Sequence, residues 1–451
     1  MIRDKKFYLH LLMLTLPIMM QSMITYAVSL ADNVMVATLG ETATSGVYVV
    51  NQVTTLMQRL VMGLSSAMII LAAQYWGKND VKSIKAIVAI GLKISFFSSA
   101  VIAVLLFFFP NQVLQLFTDK PNVIESGLVY AKLIASTYII YCITNMLIAA
   151  MRCVESVRIG MIVSICAFFT NVFLNWVLIF GNLGFPVLGV TGAGIATLIA
   201  RIVEFAIVFV YVVFIDKKLV FKLKDLFTKN KLLLLDFIKY GVPITAGSVS
   251  WGINLAVQGA IIGRFPETVI AAFSISNIVF QIITVGAYGS ATASSIIIGK
   301  AVGSGDIERV KIYARTLQVI FIGVGIVTGV TMFLSRGLVP LIYSDMEAET
   351  LAFASQFLIV LSVMSVGTSY QMATLTGIVR AGGATNFVLI NDLLFVWLIV
   401  LPSSALAAFV FNAAPWVVVL CLKCDQILKC IVAVIKCNRF KWIKNLTREV
   451  T

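Results

Sequence analysis

Asp32 is the residue of this sequence best suited to ion chemistry, because it is an acid inside a long apolar segment. A buried charge is costly unless it is paired or hydrogen-bonded, and an ionisable residue within a membrane segment marks an ion or substrate pathway by default. On a helix, Asp32 would share one face with further polar residues: Gln21, Ser22, Thr25, Ser29 and Asn33. We therefore predict that Asp32 faces protein or water and binds a proton or a cation, with Gln21 lining the same path.

Pro17 precedes this polar face on the same segment. Proline lacks a backbone N–H and clashes with the preceding helical turn, so it weakens or bends a helix. We expect Pro17 to act as a hinge, through which the charge state of Asp32 changes the shape of the helix.

Two asparagines, Asn171 and Asn175, lie one helical turn apart in a later apolar segment. A carboxylate together with amide oxygens suits a hard cation such as Na⁺, so these residues could complete a site with Asp32. The alternative is that both amides only form hydrogen bonds between helices. The residues alone leave the two interpretations open.

The elements that must position these residues are membrane spans. The chain is 60% hydrophobic and 12% charged, whereas a soluble domain has about 25% charged residues. Apolar runs of about 20 residues cross a bilayer as helices. We predict an all-α integral membrane protein with twelve transmembrane helices: 9–38, 47–75, 86–109, 126–150, 158–180, 188–215, 235–263, 271–299, 311–334, 350–378, 385–402 and 408–435.

Lysines and arginines concentrate at the N-terminus, in every second loop and in the tail. The positive-inside rule then places both termini in the cytoplasm of a multi-pass protein of the cell inner (plasma) membrane. The same bias accounts for the net charge of +14, so we expect lipid rather than nucleic acid as a partner.

The loop GKNDVKSIK (77–85) returns as GSGDIERVK (303–311). Asp80 and Asp306 are 226 residues apart (306 − 80 = 226), and the same offset joins other pairs, such as Pro17 with Pro243. Six spans per copy is an even number, so the copies share one orientation, as in transporters built from parallel repeats. We predict two pseudo-symmetric six-helix lobes with the substrate path between them, in which the loop glycines permit the turn and Asp80 and Asp306 cap the following helices.

These lobes give a prediction of domain boundaries. The N-terminal lobe covers 1–215, a cytoplasmic linker 216–234, the C-terminal lobe 235–435, and a basic cytoplasmic tail 436–451.

In the second half, the position that corresponds to Asp32 holds the neutral Gln258, which shares a helix face with Trp251 and Asn254. We expect these three side chains to line the substrate path. Asp392 corresponds to Asn171 at an offset of 221 and has no partner nearby in sequence. We treat it as a further lining residue.

Two ion pairs within helices are predicted from spacing. Asp425 and Lys429 are four residues apart, and Arg201 and Glu204 are three apart, so each pair lies on one helix face. We interpret both as structural.

Catalysis and metal or cofactor chemistry have little support. The chain has one histidine, His10, and seven cysteines, of which Cys421 and Cys424 have a CxxC spacing without a second pair. A membrane enzyme would need clustered acids, a Ser–His arrangement or metal ligands, and the sequence offers none. We expect no cofactor and no metal beyond Na⁺ at Asp32.

Several segments together resemble the multidrug and toxic compound extrusion (MATE) family. LTLPIMMQSMITYAVSLADNVMVATLG resembles its first helix, and NVFLNWVLIFG followed by GVTGAGIATLIAR resembles its fifth and sixth helices. The elbow GKND and the tail KWIKNL are also similar. The resemblance covers nearly the whole chain.

The resemblance implies a monomeric twelve-helix antiporter that exports small organic, often cationic, compounds against Na⁺ or H⁺ entry. The family's first-helix acid maps onto Asp32 and its fifth-helix asparagine onto Asn171, while Asn175 stands where a family aspartate is found. Thr197 is implied as a further cation ligand. Tyr138 and Asn145 are implied as lining residues.

Some members of the family also carry acids in the seventh and tenth helices. At these places the present chain has Trp251 and Tyr370 or Gln371. That second arrangement of acids is therefore absent from this sequence, and we count Gln371 among the lining residues.

Two other transporter classes remain as alternatives. A lipid-linked oligosaccharide flippase of the same broad fold would need a cationic cavity for pyrophosphate, for which only Arg59 and Arg201 are candidates. A major-facilitator carrier would be expected to have an arginine-rich loop after its second span, and GKNDVKSIK contains no arginine.

Overall fold

The structure is a computed structural model that describes residue 2 and residues 4–343 and 346–448. Throughout these residues the chain forms helices, turns and irregular segments, and no β-strand. The basic residue Arg3 and the last three residues of the predicted tail, 449–451, lie outside the described part.

Thirteen helices are labelled here in chain order. They are α1 Lys5–Ala37, α2 Glu41–Gly77, α3 Val81–Phe108, α4 Pro121–Cys153, α5 Arg158–Phe180, α6 Gly189–Val210, α7 Lys231–Ile262, α8 Glu267–Gly303, α9 Ile307–Ile342, α10 Ala348–Met372, α11 Thr385–Leu394, α12 Pro415–Lys423 and α13 Asp425–Asn438. Further helical turns, most of them π-helical, continue α6 to Ile215, α10 to Val379 and α11 to Val410. Three short segments complete the helices: Pro110–Gln115, Asn182–Gly184 and Leu223–Phe227.

Eleven helices within the described residues are long and apolar enough to cross a membrane. They coincide with the first eleven predicted spans, so the predicted fold class is confirmed. The predicted twelfth span, 408–435, differs: residues 408–410 still belong to the continuation of α11, and α12 and α13 follow after a break. Asn412 in this break has a positive φ of 46°, and Pro415 begins α12.

The chain separates into two compact units, which are described in turn. Unit 2 comprises Met20–Ala72 and Asn79–Val249. Within it α4 packs against α3 and α6, and α5 packs against α6. Its apolar core includes the fully buried Val50, Met57 and Cys142.

Unit 1 comprises Met1–Met19, Ala73–Lys78 and Ser250–Thr451. Here α10 packs against α8, α9 and α13. Its core includes the fully buried Ala272, Phe357 and Val418. The units are groups of residues in contact, and the lobe boundaries 1–215 and 235–435 remain a prediction.

In each copy of the repeated loop, the turn is made by the third residue and not by the first glycine. Asn79 (φ 59°) and Gly305 (φ 82°), which are 226 residues apart, adopt the left-handed conformation that makes each turn. Gly77 and Gly303 are helical, so the prediction that the loop glycines permit the turn is confirmed for Gly305 and wrong for Gly77 and Gly303. Asp80 and Asp306 do cap the next helices: their side chains accept hydrogen bonds from the backbone N–H of Ser83 and Arg309, at 3.0 Å each. The predicted caps are confirmed.

Within unit 1, Gly77 and Gly303 allow the backbones of α2 and α8 to approach closely, in the same way on both sides. A Cβ on Gly77 would overlap the carbonyl oxygen of Lys300, and a Cβ on Gly303 would overlap the carbonyl oxygen of Gln74. Gln74 and Lys300 are themselves 226 residues apart. Each copy therefore presents its glycine to the corresponding backbone of the other copy.

Candidate functional site: a carboxylate held by amides

Asp32 on α1 lies against the two asparagines of α5. The Asn175 side-chain N–H donates to Asp32 Oδ1 at 2.5 Å and also to Asn171 Oδ1 at 3.3 Å. Asp32 is half-buried, whereas Asn171 is 2% exposed and Asn175 is fully buried. The structure thus brings together three of the residues that the sequence singled out.

The regular spacing of α5 sets this geometry. Asn171 and Asn175 are four residues apart, so their side chains lie one above the other on one face of the helix. The same part of the helix also buries Ser164 and the apolar Ala167 and Leu178. The two amides therefore lie side by side, and Asn175 reaches the Asp32 carboxylate.

An ion pair, Arg201 with Glu204, lies close to this cluster. Arg201 on α6 forms an ion pair with Glu204 at 2.7 Å, as its spacing predicted, and its guanidinium lies 4.9 Å from the centre of the Tyr141 ring. Arg201 is also near enough to Asp32 for electrostatic attraction. Among the ion pairs of the described residues, none within 4.0 Å involves Asp32, so its carboxylate is held by amide groups and not by a fixed cation.

The oxygen atoms around Asp32 suit a proton or a hard cation. Asn175 Oδ1 is buried and has no hydrogen-bond partner in the described part of the chain. Together with Asn171 Oδ1 and the Asp32 carboxylate, it supplies oxygen ligands of the kind that Na⁺ takes. A cation there would compete with the Asn175 N–H for Asp32 Oδ1, so binding an ion would turn this amide.

Other predicted residues of unit 2 have partners elsewhere. Gln21 is buried and accepts a hydrogen bond from Arg152 at 2.7 Å. The Thr197 hydroxyl donates to the carbonyl of Ala193 at 3.0 Å, within its own helix. The remaining two are Tyr138, whose hydroxyl lies 3.0 Å from that of Thr54, and Asn145, which donates to the Tyr141 carbonyl at 2.9 Å. Pro17, which belongs to unit 1, lies inside α1, and the helix continues through it.

In unit 1, Gln258 is buried and bonded to a lysine. Its Oε1 accepts a hydrogen bond from Lys423 Nζ at 3.2 Å, and its Nε2 donates to Asn254 Oδ1 at 3.2 Å. Asn254 is 1% exposed, and its Nδ2 has no hydrogen-bond partner among the described residues. Trp251, one turn away from Asn254, is half-buried.

A second polar group in unit 1 is centred on Lys429. Its ammonium forms ion pairs with Asp425 at 3.0 Å, as predicted, and with Asp392 at 2.9 Å. Asp392 thus has a partner that is distant in sequence. Gln371 donates to Gln426 at 2.9 Å, and Gln426 donates to Asp425 at 2.8 Å.

Sequence reasoning missed the role of Lys423 altogether. It lies within the apolar run PWVVVLCLKC and has no acid at a helical spacing before it. A lysine in such a run was the available signal. It also missed that Arg201 lies near Asp32, although Arg201 follows Thr197 by one helical turn.

Comparisons with known proteins agree with this architecture. A sequence profile of the MatE family matches twice, over residues 17–177 and 244–420, one match in each half of the repeat. The uncharacterised transporter YisQ of Bacillus subtilis is 23% identical over 415 residues, covering 89% of this chain and 88% of its own length. The multidrug resistance protein NorM of Photobacterium profundum is 23% identical over 418 residues, covering 90% and 88%.

The fold has solved counterparts. A crystal structure of a MATE protein in complex with MaL6 superposes with a TM-score of 0.86 at 19% identity, covering 96% of each chain. An outward-facing MATE multidrug resistance transporter superposes with a TM-score of 0.84, also over 96% of each chain. With its two profile matches and its paired sets of apolar helices, this chain belongs to the MatE family of multi-pass membrane transporters.

Proposed function

We propose that this transporter is a cation-coupled antiporter that exports small organic, chiefly cationic, compounds by alternating access. The observation that carries the proposal is the Asp32 carboxylate, which is held by Asn175 and is not neutralised by a cation of the protein within 4.0 Å in the described residues. Such a carboxylate can exchange a bound proton or Na⁺ for another ligand. Relatives of the chain include proteins named for multidrug resistance.

The coupling step would use the neighbours of Asp32 directly. A proton would remove the negative charge of the carboxylate and Na⁺ would compensate it, and in either case the charge-assisted hydrogen bond from Asn175 weakens. If Na⁺ is the ion, Asp32 and the oxygens of Asn171 and Asn175 would hold it. A change at this contact acts on α1 and α5 together, and Pro17 allows α1 to respond.

The test is Asp32→Asn, with the exposed Glu125→Gln as a matched control. We expect the Asp32→Asn variant to insert normally into the membrane and to reduce ethidium efflux from cells to the level of an empty vector. The control should retain full efflux. Undiminished efflux by Asp32→Asn would disprove the proposed coupling role.

The coupling ion is identified in vesicles that contain the purified protein. Ethidium transport is measured under a Na⁺ gradient alone and then under a pH gradient alone. We expect one of the two to drive transport in the wild type and neither to drive it in Asp32→Asn. Transport that needs neither gradient would contradict antiport.

The flippase alternative receives no support from the site. A pyrophosphate-binding cavity needs arginines that are free to bind phosphate. Arg201, one of the two candidates, is bound to Glu204 at 2.7 Å. We also propose that the protein acts as a monomer in the inner membrane, with both termini in the cytoplasm, because its basic residues lie at the ends and in alternate loops.

A further inference from the structure

The end of the chain is folded against unit 1. After α13, residues 439–448 form an irregular segment, which we call the terminal segment. Its Trp442 is fully buried, and the indole N–H donates to the Cys437 carbonyl at 2.7 Å. The backbone N–H of Lys444 donates to the carbonyl of Gly382, in the turn after α10, at 2.8 Å. A Cβ on Gly382 would overlap the Trp442 ring, so the segment is anchored closely to the second half of the chain.

The later part of the terminal segment is held by α2. Gln74 on α2 is fully buried, and its side chain binds three backbone groups. The Nε2 atom donates to the carbonyls of Ala381 at 3.1 Å and Lys444 at 3.4 Å, and Oε1 accepts from the N–H of Leu446 at 2.7 Å. One amide side chain therefore joins α2 both to the turn after α10 and to the terminal segment.

These hydrogen bonds lie at the end of α2 that is part of unit 1. Residues 73–78 belong to unit 1, whereas α2 up to Ala72 belongs to unit 2. Tyr75 adds a further hydrogen bond, since its hydroxyl accepts from the N–H of Arg448 at 3.0 Å. In the same region Gly77 packs against the backbone of α8. The end of a first-half helix is thus attached to the second half by close packing and by the terminal segment.

The two attachments of the terminal segment differ in kind. The anchor buries the whole ring of Trp442, and removing an aromatic ring from a core is among the most costly substitutions. The attachment to α2 consists of hydrogen bonds between neutral groups, each of which contributes little net free energy because water can replace the partner. The Leu446 side chain packs beside Gly383 of the second half and not on α2. Opening would therefore begin at Gln74 and leave Trp442 in place.

We propose that the terminal segment is a latch on the end of α2, closed through Gln74 in this structure and opened in each transport cycle, while Trp442 keeps the segment on the second half. The inference rests on the proposed export by alternating access, in which contacts that close one side of the protein must break before that side opens. Gln74 suits such a latch because moving this one side chain away removes all three of its hydrogen bonds together.

Trypsin tests the latch without altering it. The peptide bond after Lys444 lies between the two groups of the segment that bind Gln74, the Lys444 carbonyl and the Leu446 N–H. The bond after Lys441 lies beside the buried Trp442. Because protease cleavage follows the population of the open form, cleavage after Lys444 reports the latch and cleavage after Lys441 reports the anchor.

The purified protein in lipid vesicles is treated with external trypsin, at rest and under the gradient that drives ethidium transport, and the released peptides are quantified by mass spectrometry. Only molecules whose terminal segment faces outwards are cleaved, so mixed orientation does not affect the rates. We expect transport to speed cleavage after Lys444 and to leave cleavage after Lys441 unchanged. At rest, Gln74→Leu should speed cleavage after Lys444 by about tenfold, because the hydrogen bonds that hold this part of the segment are lost. The matched control Gln112→Leu, at an exposed glutamine, should be cleaved at the wild-type rate.

Each outcome decides the question. If transport does not change cleavage after Lys444, the latch does not open in the cycle and the inference is wrong. If transport speeds cleavage at both sites, the whole segment detaches, and the division into anchor and latch is wrong. Equal resting rates for Gln74→Leu and the wild type would show that Gln74 does not hold the segment. If the wild type carries no ethidium, the proposed export function fails as a separate result, and the resting comparison still decides whether Gln74 holds the segment.

Discussion

The two halves of this protein share a plan but differ at the position of Asp32, which is an acid in the first half and the neutral Gln258 in the second. In the first half, α1 carries Asp32, which is held by the amide of Asn175. In the second half, α7 carries Gln258 at the corresponding position, and this amide is held by the ammonium of Lys423. One half therefore centres on an acid bound by amides, and the other on an amide bound by a cation.

The difference shows that the two halves of a duplicated membrane protein can share the same helices and differ in their polar residues. Such a replacement is possible because apolar side chains, and not the polar groups, provide most of the packing between the helices. The first half has a carboxylate at this position, bound by the Asn175 amide. The second half has a neutral amide there, bound by the buried Lys423 ammonium.

The largest effect is expected when the two positions are exchanged. The double variant Asp32→Gln/Gln258→Asp should export no ethidium above the empty-vector level, although it still contains one acid at the paired positions. The reason is that the introduced carboxylate would lie close to the Lys423 ammonium, which now bonds to Gln258 at 3.2 Å. The two would form an ion pair, so the new acid could not exchange ions. Efflux in cells measures this.

The single variants provide the controls for that exchange. Asp32→Gln alone should fail in the same way, and Gln258→Asp alone should be produced and inserted at the wild-type level. If the double variant exported ethidium, the acid would function in either half, and the contrast between the halves would be wrong.

A smaller effect, on stability, is expected at Lys429. Replacing it by Met leaves Asp392 and Asp425 without their shared cation, and removing one partner of a buried ion pair costs about 3–5 kcal/mol. The comparison is Lys311→Met, which breaks the exposed pair with Glu308 and should cost at most about 1 kcal/mol. Thermal unfolding of the purified proteins in detergent measures both. Equal losses would show that the Lys429 cluster is not buried as described.

The smallest effect concerns the two caps, where both halves use an aspartate. Asp80→Ala and Asp306→Ala each remove one side-chain hydrogen bond to a backbone N–H at a helix N-terminus, and each should cost about 1 kcal/mol. Asp80→Ala also removes the hydrogen bond from Ser83 Oγ at 2.6 Å, so thermal unfolding should show the larger shift for this variant. An equal or smaller shift for Asp80→Ala would show that the Ser83 hydroxyl does not strengthen this cap.

The sequence predicts most of this fold because a backbone that crosses a lipid bilayer can adopt few secondary structures. Long apolar runs must become helices, so eleven spans could be placed to within several residues, and the constant offset of 226 exposed the duplication. Asp32, Asn171 and Asn175 could be grouped because helical spacing puts the asparagines on one face. The caps at Asp80 and Asp306 followed from local chemistry alone.

What the sequence could not predict are contacts between residues far apart in it. Nothing in the spacing joins Lys429 to Asp392 or Lys423 to Gln258, since these pairs form only when separate helices pack. The break at residues 411–414 was missed because its flanks are as apolar as the helices. The sequence assigns Gly77 and Gly303 to the turn because it does not show the backbone against which they pack.

The symmetric packing of Gly77 and Gly303 limits how these two copies can evolve. Either glycine faces a carbonyl oxygen of the other copy, and any side chain would overlap it. A substitution of either glycine cannot be offset by a smaller residue opposite, because the group that it faces is a backbone carbonyl, which every residue carries. Asp32 and Gln258 differ in chemistry although they stand at corresponding positions. Gly77 and Gly303 cannot differ in the same way, because no residue is smaller than glycine. The two copies therefore remain alike at this backbone contact.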